Sequence, residues 1–173
     1  MRKHPIIVLA VLPSLLAYAL VRELGHLVAL WALKLPAAVT LRYGFLPAVE
    51  MSPDTSRIAP ASAGWVTAAG PIAALAASYV LLAAITRWRP GAPSFVRVIA
   101  AITCYLGLML DPIYYAAIPF FDLGGEPQLV AGLLGVPLVR LQLSALILLA
   151  LNIILARRWV VHLLRQGQRS ADT

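Results

Sequence analysis

Apolar residues in this chain fall into four long blocks, about residues 5–35, 59–86, 95–121 and 129–155, separated by segments that carry most of the charge. A helix of about 20 apolar residues crosses a hydrocarbon core of about 30 Å, and it satisfies its own backbone polar groups where no water is at hand. The pattern therefore predicts an all-α fold, a polytopic transmembrane bundle of about four spans forming a single domain over residues 1–173. Residues 156–173 read as a basic tail that frays after Arg165. Pro112 and Pro119 are expected to bend or break the third span near its end. The longest non-helical connection runs from Pro36 to Ile58. Within it, Leu41-Arg42-Tyr43-Gly44-Phe45 reads either as a short strand or as an interfacial segment, its alternation being too brief to choose. Arg87-Trp88-Arg89-Pro90-Gly91-Ala92-Pro93 has the composition of a turn, with a Trp suited to a membrane interface. There is no convincing internal repeat and no low-complexity domain.

Composition reinforces the membrane class. Hydrophobic residues make up 61% of the chain and charged residues 12%, where a soluble domain carries about 25% charged residues. The single cysteine, Cys104, excludes an internal disulfide and a cysteine zinc cluster, and reads as a small packing residue. Arg2-Lys3, the apolar run after them and Ala17-Tyr18-Ala19 look like a secretory signal with its cleavage site. Apolar sequence nevertheless resumes at Leu27 and continues to Leu35, longer than a usual signal core, so an uncleaved anchor is expected.

Charge adds orientation. Arg2 and Lys3 precede the first span, Arg87, Arg89 and Arg97 lie around the second connection, and Arg157, Arg158, Arg165 and Arg169 follow the fourth span. All three groups fall on one side of a four-span chain, which the positive-inside rule makes cytoplasmic together with both termini. The net charge of +7 is explained by this topology, and nothing further suggests a nucleic-acid partner. The lipid bilayer is the expected surrounding, and compactness with Arg/Ala richness suggests a bacterial inner membrane.

Chemistry concentrates in Arg22-Glu23-Leu24-Gly25-His26, a charged pentapeptide inside the first apolar block. It reads as the helix of an HExxH metalloprotease with its first histidine replaced by arginine. In the intact motif two histidines four residues apart share a helix face and bind Zn²⁺, and the glutamate acts as general base. His4 and His162 belong to the opposite side of the membrane. His4 alone is about 27 Å along a helix from Arg22, too far to replace the missing ligand.

Two further segments follow on successive spans: Ala69-Gly70-Pro71-Ile72-Ala73-Ala74-Leu75, then Phe121-Asp122-Leu123-Gly124-Gly125-Glu126-Pro127. In this order the three segments resemble the site-2 protease family of intramembrane zinc metallopeptidases, which carries HExxH in one span, a Gly-Pro element in the next and an aspartate near the end of a third. The match touches three short segments and frames roughly residues 10 to 135. The resemblance implies hydrolysis of a peptide bond within or beside the membrane, with a transmembrane protein as substrate. It implies Glu23 as the catalytic base, His26 and Asp122 as metal ligands, Arg22 at a degenerate ligand position, and Gly70, Pro71, Gly124 and Gly125 beside the substrate groove. Leu123 interrupts the third motif, which brings in Glu126 second and Asp111 third as alternative carboxylates.

Arginine has no lone pair for a metal and does not deprotonate in a protein. Charged groups inside a bilayer face protein, water or an opposite charge, because the helix centre costs each of them about 2.5 kcal/mol or more. Arg22 can instead pair with Asp122 or Glu126, turning a metal site into an ion-pair lock between the first and third spans. Beside these readings stand plainer ones: His26 as an interhelical hydrogen-bonding residue, Gly70-Pro71 as a kink or close helix contact, and Gly124-Gly125 as a turn. Three function classes follow. One is a protease with an altered ligand set and bound Zn²⁺. Another is a catalytically dead relative without a cofactor that binds transmembrane partners. The third is an unrelated small membrane transport or assembly subunit.

Overall fold

The structure is a computed structural model that describes residues 4–35, 37–42, 46–51, 58–87, 94–121 and 125–169. Its elements are α1 (His4–Ala32), β1 (Ala37–Arg42), β2 (Leu46–Met51), α2 (Pro60–Arg87), α3 (Ser94–Ala117), a 3-10 turn at Ile118–Phe121, α4 (Glu126–Leu134) and α5 (Leu138–Arg169). Among the described residues, four helices are long and apolar enough to cross a membrane, over Val8–Ala32, Pro60–Ile85, Val98–Phe121 and Leu138–Trp159. That is the construction of an integral membrane protein.

Two boundaries differ from the hydropathy reading, while the break expected near the end of the third span is found at Pro119. The fourth apolar block is not one span: Gly135 adopts φ 65° and ψ 25° and caps α4, its N–H and that of Val136 closing onto the carbonyls of Gly132 and Ala131. Pro137 then starts the next helix without an N–H to satisfy, so the last span begins at Leu138 rather than near Leu129. Hydropathy misses this break because Leu129–Val136 is as apolar as the helix after it. Pro112 sits inside α3 without ending it, and the change of helix type comes at the 3-10 turn that holds Pro119. The basic segment after residue 155 continues as helix to Arg169. In the first connection, Leu41 and Arg42 lie in β1, so the strand reading holds for them, while residues 43–45 lie outside the described residues. The turn residues Trp88 to Pro93 also lie outside them.

Helix α3 is the centre of the bundle and packs against α1, α2 and α5. Of the residues in its apolar window 44% are buried, against 11% for α1 and α5, so few residues of those two spans are fully covered by the rest of the bundle. Leu82, Ile85, Ala100, Cys104, Leu108, Met109 and Ala156 form the main apolar core between α2, α3 and α5. The buried thiol of Cys104 donates to the Ser78 carbonyl, consistent with a packing residue.

At 100° per residue, the pentapeptide divides α1 into three faces. Tyr18, Arg22, Gly25, His26 and Ala29 lie toward α2 and α3. Glu23 and the buried Leu30 lie on a second face, where β2 packs. Leu20, Leu24, Val28 and Trp31 form an exposed stripe suited to lipid. Close approach of α1 and α2 depends on Gly25, where a methyl group would lie 2.6 Å from the Ala69 carbonyl oxygen.

Candidate functional site

Arg22 is the hub of the charged region. Its Nε donates to Asp111 Oδ1 at 3.3 Å and its Nη2 to Glu126 Oε2, so one guanidinium joins α1 to α3 and to the start of α4. The second oxygen of each carboxylate is also occupied: Tyr18 Oη donates to Asp111 Oδ2 at 2.8 Å, and Tyr115 Oη to Glu126 Oε1 at 2.8 Å. Side-chain exposure is 22% for Arg22, 8% for Asp111 and 17% for Glu126, which places the cluster largely out of contact with its surroundings. Ionised groups at this depth hold only when paired and hydrogen-bonded, and here every carboxylate oxygen meets a donor.

The other two chemical residues of the pentapeptide face elsewhere. Glu23 Oε2 accepts the backbone N–H of Val49 at 2.7 Å, in strand β2. His26 Nδ1 lies 2.8 Å from the Val66 carbonyl oxygen on α2. A carbonyl only accepts, so the proton sits on Nδ1 and the ring is fixed as a donor. The opposite edge of the ring rests on Gly70, where a methyl group would overlap Nε2 and its neighbours. Gly70 thus serves a close helix contact. Pro71, next to it, lines a cavity of about 320 Å³ bounded by α2, α3, α4 and α5, whose wall also includes Trp65, Asp111, Tyr115 and Leu148.

The structure therefore brings together Arg22, Asp111 and Glu126, and places Glu23 and His26 on separate partners. Gly125 precedes α4 with φ 140°, a backbone state that side chains disfavour, and a methyl group there would press on Tyr114 Oη at 2.9 Å. Asp122 and Gly124 lie outside the described residues. Of the carboxylates ranked from the sequence, the second and third are the ones seen on Arg22. Tyr18 and Tyr115 were not singled out there as site residues, although each stands four residues from a charged member of the cluster on its own helix, Arg22 and Asp111, the spacing that puts two side chains on one face.

A zinc ion requires three or four lone-pair donors in tetrahedral array. Among the described residues no group of three or more His, Cys, Asp or Glu converges in that way. The donors themselves do not fit as arranged: a guanidinium stands at one ligand position and holds both carboxylates, and His26 is turned onto Val66 and Gly70. No step is routed through a metal on this arrangement. Set against protein-family models, curated proteins and solved structures, the chain matches none in any of the three comparisons.

Proposed function

We propose that this protein is a metal-free relative of the site-2 proteases, in which an ion-pair lock occupies the place of the metal and the bundle serves to bind transmembrane segments of partner proteins. The observation that carries the reading is the Arg22 guanidinium between Asp111 and Glu126. In the family that the three segments resemble, that position of the HExxH helix would hold a metal ligand beside a third-span carboxylate. Here a fixed cation does the neutralising that Zn²⁺ would do. The apolar cavity next to the cluster, with Trp65 and Pro71 in its wall, offers a recess into which apolar side chains of a partner helix would insert within the membrane. In this reading both termini face the cytoplasm of a bacterial inner membrane, and Glu23 has no activated water to serve.

The test is the metal content of purified protein beside that of Arg22→His. The parent is expected to hold no stoichiometric zinc, and Arg22→His to gain zinc that is lost again in the Arg22→His/His26→Ala double variant. Zinc in the parent that disappears on His26→Ala would overturn the proposal in favour of a working protease with an altered ligand set. A failure of Arg22→His to bind zinc, with the parent also metal-free, would remove the metallopeptidase ancestry and leave a membrane subunit of another kind.

A further inference from the structure

The β-hairpin rests on α1 through β2, and its register explains how. Val39 pairs with Val49, and the Val49 N–H leaves the ladder to meet Glu23. In an antiparallel pair, positions alternate between residues that bond each other and residues whose N–H points outward. Val39–Val49 is thus an outward-pointing pair, and so are Leu41–Pro47 and Ala37–Met51, two residues away on either side. Pro47 has no N–H to present, which is why a proline is tolerated at the second position of this strand. On the side of β2 that faces α1, one outward position is a proline and the next is capped by a carboxylate.

We propose that Glu23 is a positioning residue: its carboxylate takes the outward-pointing Val49 N–H and so latches the hairpin onto α1. The role follows from the three faces of α1. Arg22 and Glu23 are consecutive and therefore diverge by about 100°, so one helical turn grips α3 and α4 with its first charge and the hairpin with its second. A backbone N–H that leaves the ladder at a half-buried position of the strand gains from an acceptor, and an anionic one is stronger than a carbonyl. Leu30, on the same face two turns later, is 1% exposed and gives this face an apolar footing. The latch does not depend on the ancestry of the site, since it uses only the carboxylate, the register and the fold.

Amide hydrogen exchange at Val49 tests it, in the full chain reconstituted in lipid nanodiscs. Glu23→Ala is expected to speed exchange at Val49 by about tenfold or more, the scale of one hydrogen bond to a charged group, while Leu129 in α4 keeps its parent rate. Glu23→Gln retains an acceptor oxygen and is expected to keep most of the protection, whereas a glutamate needed for proton transfer is not replaced by glutamine. Unchanged exchange at Val49 in Glu23→Ala would overturn the proposal. Should Glu23→Ala fail to fold, Glu23→Gln decides: slow exchange supports the latch, and exchange at the rate of an unprotected amide overturns it. Val49→Pro, which removes the donor and leaves the carboxylate, is expected to accelerate exchange at Ala38 and Glu50, and parent rates there would count against the latch. Neither result bears on the zinc measurement.

Discussion

The ionic cluster at Arg22 and the neutral pair at Asn152, two polar regions among the described residues of this apolar bundle, are built on different principles. Around Arg22 the groups are ionic and tie three helices together: α1, α3 and α4. One turn earlier on α3, between α2, α3 and α5, the groups are neutral: Asn152, fully buried, donates to the Leu108 carbonyl at 2.6 Å and accepts from Tyr79 Oη at 2.5 Å. A neutral amide can lose a partner and be left with one unmet hydrogen bond. A carboxylate that loses its guanidinium is left as an uncompensated charge, and the penalty is several times larger. The neutral region thus works as ordinary helix-to-helix adhesion, whereas the ionic one acts as a unit whose members stand or fall together.

Breaking the ionic unit gives the largest effect. Arg22→Met, which strands Asp111 and Glu126, is expected to destabilise the fold by about 3–5 kcal/mol, read as a fall in thermal midpoint in detergent. The triple variant Arg22→Met/Asp111→Asn/Glu126→Gln is expected to recover most of that loss, and its failure to do so would mean that the cluster is not the source of the penalty. Gly70→Ala, which drives a methyl group into the His26 ring, is expected to cost about 1–3 kcal/mol by overpacking. The same substitution should be nearly neutral in a His26→Ala background, so equal losses in both backgrounds would remove the claimed contact. Asn152→Leu removes two neutral hydrogen bonds and is expected to cost about 0.6–1.7 kcal/mol. A loss as large as that of Arg22→Met would erase the distinction between the two regions. Tyr79→Phe, which removes one of those bonds at a partly exposed residue, should be the mildest, at about 0.6 kcal/mol.

Legibility from sequence differed between these regions for physical reasons. Arg22 and Glu23 stood out because ionised groups inside an apolar run demand partners, and that demand is written in composition alone. Asn152 and Tyr79 did not, since a lone amide or phenol in a span is common, and their partners are each other and a Leu108 carbonyl that any residue could supply. Asp111 was ranked last among the carboxylates because the motif spacing favoured Asp122. Its side chain is nevertheless on the inward face of α3, one turn from Tyr115, and that geometry rather than motif position brings it to Arg22. The break at Gly135 was invisible to hydropathy, because a left-handed cap changes backbone direction without changing how apolar the segment is.

Length and polarity of the blocks already dictate four membrane-crossing helices, since a backbone in hydrocarbon has few ways to satisfy its hydrogen bonds. The same local logic marks position 22 as a cation in need of anions. Which anions answer, and that Glu23 turns instead to a strand while His26 turns to the second helix, depends on the rotation of α1 against its neighbours. That rotation is fixed by packing at Gly25 and Gly70, contacts between residues some 45 positions apart that no local pattern along the chain encodes.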